Sequence, residues 1–245
     1  MIVANFKMNK TNKEIKDYMK ILKNANFNFK DVVICPSFIG LETAVKLKPD
    51  GVEIGAQDVS CFDEGSFTGE VSGNMIKDIG VKYVIVGHSE RRNMHYETDE
   101  IVASKTISAI KNGLVPIICV GESLKEKNAN MTKTVVYSQL EKVLTKIKNL
   151  SNNYIIAYEP YWAIGSGKTP TKSEIDEVCS FIYQSACAID ERNLNKTDIL
   201  YGGSVNEKNA KEIFSIKSVN GALIGSASLS AVNFIKIIEV YNESK

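Results

Sequence analysis

Residues 154–169 read Tyr154-Ile155-Ile156-Ala157-Tyr158-Glu159-Pro160-Tyr161-Trp162-Ala163-Ile164-Gly165-Ser166-Gly167-Lys168-Thr169. Five apolar residues end abruptly on a carboxylate. Proline follows at once and stops any continuation, because it has no N–H for a ladder or a helix. A loop with two glycines comes next, and glycine reaches backbone angles closed to other residues. An acid at the end of a buried strand, under a loop able to cover it, suits a general base sheltered from water. It equally suits a plain strand-end acid that caps the loop. Two nucleotide motifs fail in the same stretch. A P-loop ending on Gly167-Lys168-Thr169 needs glycine where Trp162 stands, and a dinucleotide fingerprint from Gly165 and Gly167 meets Pro170 at its third glycine.

Working outward, the same unit repeats along all 245 residues. Short apolar runs cover 2–6, 32–35, 52–56, 83–86, 115–120, 154–158, 198–201 and 221–224. They are continuous rather than alternating, as parallel strands buried on both faces require. Amphipathic stretches separate them. Ile15, Tyr18, Met19 and Leu22 lie on one helical face behind a Thr11/Glu14 capping box. Val136, Leu140, Val143, Leu144 and Ile147 repeat that spacing, as do Ile175, Val178, Ile182, Ala186 and Ile189 behind Thr171 and Glu174. Eight such units without a linker-like break predict one domain over 1–245, a closed (β/α)8 barrel of parallel strands ringed by helices. A doubly wound sheet is the rival fold, but its glycine fingerprint is missing.

Composition narrows the classes. Hydrophobic residues make up 44% and charged residues 24%, enough for a large core in a water-facing protein. A net charge of +1 makes no case for nucleic acid or an anionic membrane. Five cysteines, at 35, 61, 119, 179 and 187, lack metal-type spacing, and their odd number favours reduced thiols in the cytoplasm. No leader is expected before Ile2, and no apolar run reaches membrane-spanning length.

In a barrel of this kind chemistry gathers at the carboxyl ends of the strands, which here carry Lys7, Gln57, His88, Glu122, Glu159, Ser204 and Gly225. Asn5 and Lys7 fall on one side of the first strand's end. Gln57 opens a connection to Ser72, longer than a barrel needs, around Phe67 and Thr68. His88 precedes Ser89-Glu90, a helix start whose N-terminal dipole is expected to depress its imidazole pKa. His95 reads as a surface residue, and no zinc-type spacing joins the two histidines. Cys119 reads as a buried thiol and Glu122 as a strand-end acid. Gly202-Gly203-Ser204 and Gly225-Ser226 follow the last two strands, where barrels of this type bind phosphate through backbone N–H groups.

Assembled, these segments resemble the triosephosphate isomerase family over nearly the whole chain. The resemblance rests on residues 5–9, 67–70, 87–92, 157–169, 201–205 and 223–229. It implies interconversion of dihydroxyacetone phosphate and glyceraldehyde 3-phosphate with no cofactor and no metal. It also implies that Glu159 moves the carbon proton, that neutral His88 polarises the carbonyl, and that Lys7 offsets the developing charge. Asn5 would hold substrate. Gly165, Ser204, Gly225 and Ser226 would bind phosphate, while Glu90 and Thr68 would support the site. It implies further a homodimer through the loop 57–72. Phe6, the pair His95-Tyr96 and Ser226 depart from the family's usual tryptophan, phenylalanine-glycine and glycine. Another phosphosugar isomerase or epimerase, or a barrel that binds without catalysing, are the alternative functions.

Overall fold

In a computed structural model, residues 1–25, 27–150, 153–164, 169–191 and 197–244 are described. The strands are β1 (Ile2–Asn5), β2 (Val32–Cys35), β3 (Val52–Ala56), β4 (Tyr83–Val86), β5 (Val115–Val120), β6 (Ile155–Tyr158), β7 (Asp198–Tyr201) and β8 (Gly221–Ile224). They close in sequence order, each parallel to the next, and β8 returns to β1. The expected (β/α)8 barrel is the observed architecture. Helices α1 (Asn12–Asn24), α2 (Leu41–Leu47), α3 (Gly73–Asp78), α4 (Ser89–Met94), α5 (Asp99–Lys111), α6 (Leu124–Asn128), α7 (Thr132–Ile147), α8 (Lys172–Ile189), α9 (Ala210–Phe214) and α10 (Ala231–Glu243) surround it.

Strand alternation sorts the core into two layers. Val3, Val33, Ile85, Ile117, Cys119, Ala157, Leu200 and Leu223 fill the barrel interior. Ile2, Ala4, Val84, Val86, Ile118, Val120, Ile156, Tyr158 and Tyr201 point outward into the layer shared with the helices. This is why the strands read as unbroken apolar runs. The helix faces read from spacing are the buried ones: Ile15, Tyr18, Met19 and Leu22 on α1, and Val136, Leu140, Val143, Leu144 and Ile147 on α7. Capping boxes at Thr11/Glu14 and Thr171/Glu174 satisfy backbone donors at the starts of α1 and α8. A third, Ser123/Glu126, opens α6.

A buried ionic cluster ties the long connection after β3 to the barrel. Lys105 on α5 reaches Asp58 (2.6 and 2.8 Å) and Glu97 (2.6 Å), and Arg91 on α4 reaches the same two carboxylates (2.9 and 2.5 Å). Beyond this anchor the segment 62–70 is exposed, with Phe62 and Phe67 stacked at 3.8 Å.

Candidate active site

The alternation that packs the barrel also aims its polar ends. Asn5 follows Val3 inward, and Glu159 follows Ala157 inward to lie only 1% exposed. His88 breaks the pattern, since strict alternation would send it outward with Val86. Gly87 lies between them at φ 68, and a Cβ there would meet both γ-methyls of Val102 at 2.8 Å. This left-handed glycine turns the chain so that His88 faces the barrel mouth.

There His88 Nε2 lies 3.0 Å from Glu159 Oε1, and the backbone N–H of Ser89 donates to Glu159 Oε2 at 3.0 Å. The N–H of Glu90 donates to His88 Nδ1 at 3.2 Å. An Nδ1 that accepts a hydrogen bond carries no proton, so the ring proton sits on Nε2, toward Glu159. Lys7 completes the group, its ammonium 2.6 Å from Glu90 Oε1. Its own backbone is left-handed at φ 51, a conformation costly for a side-chain-bearing residue. Asn5 Oδ1 accepts from the Lys7 N–H at 2.9 Å, and the Gln57 amide donates to the Lys7 carbonyl at 2.9 Å and to that of Cys35 at 2.9 Å. Asn5 and Gln57 therefore hold the unusual backbone that presents the ammonium.

The electrostatics correct one expectation. Burial, the strongest influence on His88, lowers its pKa, but the carboxylates of Glu159 and Glu90 outweigh it and raise the imidazole above its ordinary value. The helix start thus sets the tautomer rather than the net shift, because α4 is short and carboxylates lie 3.0 Å (Glu159) and 3.6 Å (Glu90) from the ring nitrogens. Burial likewise acts most strongly on Glu159 and pushes it up. His88, the Ser89 N–H and Lys7 together prevail and hold it below the usual carboxylate range.

Two glycines make room for this acid. A Cβ on Gly121 would lie 1.8 Å from the Glu159 carbonyl oxygen, and one on Gly202 would lie 2.7 Å from Glu159 Cγ. Gln139 pins Gly121 by pairing with both its N–H (2.8 Å) and its carbonyl (3.0 Å). Across the mouth, the Ser204 hydroxyl donates to the Ala163 carbonyl at 2.8 Å. Ser226 opens a 3₁₀ turn, Ser226–Leu229, without positive φ, so serine is accommodated where the family usually has glycine. The cleft so formed, about 530 Å³, is lined by Asn5, Lys7, His88, Glu159, Ser204, Gly225 and Ser226 among others. Gly165 lies outside the described residues. Thr68 is exposed and does not line the cleft.

Several contributors were missed in the sequence. Gln57 was visible only as a strand-end polar residue, Gly202 only as part of a phosphate-type turn, and Gly121 carried no local signal. Glu122, read as a strand-end acid, is buried and accepts from Trp162 Nε1 at 2.8 Å and from the Tyr158 hydroxyl at 3.2 Å. Cys119 is fully buried inside the barrel and burial drives its pKa far up, which leaves an inert thiol. His95 is exposed.

A buried acid–base pair beside a lysine, facing glycine-rich turns at the carboxyl end of a (β/α)8 barrel, defines a class of enzyme that moves protons on small anionic substrates. The family model described as triosephosphate isomerase matches residues 1–241. Curated triosephosphate isomerases from Mesomycoplasma hyopneumoniae (strain 7448) and Aquifex aeolicus (strain VF5) are 45% and 43% identical to the chain. Each alignment covers 97% of this chain and 98% of the relative. One from Malacoplasma penetrans (strain HF-2) is 42% identical, with 98% of both chains covered. The chain belongs to the triosephosphate isomerase family and is an isomerase.

Proposed function

We propose that this isomerase interconverts dihydroxyacetone phosphate and D-glyceraldehyde 3-phosphate through an enediolate, as a cytoplasmic step of sugar breakdown and synthesis. The observation that carries the reading is the contact of Glu159 Oε1 with His88 Nε2 at 3.0 Å, with Lys7 held beside them in one cleft. Glu159 removes a proton from the carbon next to the carbonyl and returns it to the neighbouring carbon. His88 donates its Nε2 proton toward the carbonyl oxygen, then serves the second oxygen in turn. Lys7 offsets the negative charge that grows on those oxygens, and Glu90 holds Lys7 in reach. Phosphate rests on backbone N–H groups at Ser204, Gly225, Ser226 and Gly165, with Asn5 steadying the substrate. When Glu159 turns from His88 to the substrate, burial remains as the main influence on the imidazole, which favours its neutral form.

The same reading makes the active form a homodimer. Met8 is 96% exposed directly beside Lys7, and Ile39, Phe62, Phe67, Met94 and Tyr96 are exposed on the connections after β2, β3 and β4. β1 to β4 are neighbours in the barrel, so these apolar groups share one side of the mouth. A second copy covering that side would bring its Thr68 loop to Lys7 and Asn5.

A coupled assay on glyceraldehyde 3-phosphate in the presence of a metal chelator tests the reaction. Turnover should persist under chelation. Glu159→Gln should fold normally, bind 2-phosphoglycolate and lose at least about 10²–10⁴-fold in kcat. Near-wild-type turnover in that variant would remove Glu159 from the role of base.

A further inference from the structure

The connection from β6 to α8 has two described flanks. Pro160 and the 3₁₀ turn Tyr161–Ala163 follow Glu159 directly, and Thr169-Pro170-Thr171 leads into α8. The first flank is fastened through Trp162, whose indole N–H donates to Glu122, and through the Tyr161 N–H, which donates to the Glu122 carbonyl at 3.0 Å. The second is fastened through Glu174, whose Oε2 accepts from the Thr171 N–H at 2.7 Å and from the Thr171 hydroxyl at 2.9 Å. One side chain touches both fastenings. The Lys127 ammonium, at the end of the short helix α6, lies 3.9 Å from the centre of the Trp162 ring and 2.8 Å from Glu174 Oε1.

We propose that Lys127 is a positioning residue for the isomerisation: its ammonium couples the two flanks of the β6–α8 connection, so that Trp162 and Thr171 keep a set distance while Glu159 works. The geometry is suited to this. The ammonium spends one face on the indole π-cloud and donates a hydrogen bond to the carboxylate. The carboxylate divides its oxygens, Oε1 to Lys127 and Oε2 to the α8 cap. Hydrogen bonds from Lys127 and Thr171 hold Glu174 at a pKa of about 2, so its carboxylate is ionised at neutral pH. The capping box of α6, Ser123 with Glu126, fixes the helix that carries Lys127. The cavity beside it, about 320 Å³, is lined by Glu122, Lys127, Pro170 and Glu174, which places both fastenings around one space. Displacement of Trp162 would carry to Glu159, since only Pro160 and Tyr161 stand between them.

The inference rests on the proposed isomerisation for its kinetic arm, but not for its spectroscopic one. Trp162 is the chain's single tryptophan, so its emission reports this flank alone. Lys127→Met keeps the aliphatic stem and removes the charge, whereas Lys127→Arg keeps both contacts. Glu174→Gln should shift Trp162 emission when Lys127 is present and leave it unchanged in the Lys127→Met background. Lys127→Met should also lower kcat about tenfold with KM for glyceraldehyde 3-phosphate little changed, as a misplaced base demands. Lys127→Arg should restore kcat to within about threefold of wild type, on the same scale of misplacement. Equal emission shifts on Glu174→Gln in both backgrounds, or wild-type kcat in Lys127→Met, would overturn the coupling. A wild-type protein that fails to isomerise triose phosphates would instead sink the reaction, while the emission cycle would still decide the role of Lys127.

Discussion

Glu159 is a carboxylate almost without water, and its ionisation depends on a few contacts. Burial raises its pKa, and His88, the Ser89 N–H and Lys7 pull it below the ordinary range. Replacing His88 by glutamine removes a major opposing influence and leaves burial in place. The carboxyl group of that variant should therefore take up its proton at higher pH, so the acid limb of kcat/KM should move upward relative to wild type. A pH–rate profile with an unmoved acid limb would show that the imidazole does not hold Glu159 ionised. Because the two groups titrate as a pair, the wild-type limb belongs to both.

Elements carry the site through a few anchors. Lys105 and Arg91 hold Asp58 and Glu97, linking α5, α4 and the start of the β3–α3 connection. Lys105→Met leaves Arg91 alone between two carboxylates of low exposure. Removing one partner of such a cluster costs about 3–5 kcal/mol, which denaturant unfolding should register. A loss near zero would mean that the cluster relaxes into water. At the start of α8, Thr171→Ala removes the hydroxyl half of a capping box, leaving the backbone N–H to Glu174, and should cost about 0.5–2 kcal/mol by the same measurement. Glu174 belongs to that cap, with its pKa lowered to about 2 from an unfolded value near about 4.3. A depressed acid contributes its stability above the unfolded pKa and loses it as pH falls through the folded one. The cost of Thr171→Ala should therefore shrink between about pH 4.3 and pH 2. A cost independent of pH would separate the hydroxyl from the carboxylate.

For the whole molecule the decisive matter is what covers the exposed apolar side of the mouth. Phe67 is 39% exposed and stacked on Phe62 in an exposed segment that Asp63 ties back to Asn112 at the end of α5. Phe67→Glu should give monomers by light scattering. Its kcat/KM should also fall, although every group lining the cleft is retained. Wild type that is monomeric and fully active at micromolar concentration would defeat the dimer reading. Tyr96 belongs to the same side, exposed at φ 56 where the family's usual residue is glycine. A bulky residue kept in a left-handed conformation costs stability in the isolated chain, which a contact with a second copy would offset.

The strands, the buried helix faces and two of the capping boxes were legible in the linear order because they follow from local rules. A buried parallel strand is an apolar run, a packed helix repeats its apolar residues with the turn, and a box needs serine or threonine three residues before glutamate. Asn5, Lys7, His88, Glu159, Ser204 and Gly225 were legible for a related reason, as polar or glycine residues interrupting apolar strands at one end. What stayed hidden was whatever depends on distance between remote residues. The carboxylates around His88 reverse the pKa shift expected from its helix start. Gln57 supports a strained Lys7 from two strands away, Gly121 and Gly202 matter because Glu159 passes against them, and Lys127 meets Trp162 and Glu174 from a third element. No periodicity encodes such meetings, since closure of the barrel brings these groups within ångströms and Coulomb and contact forces act only at those distances.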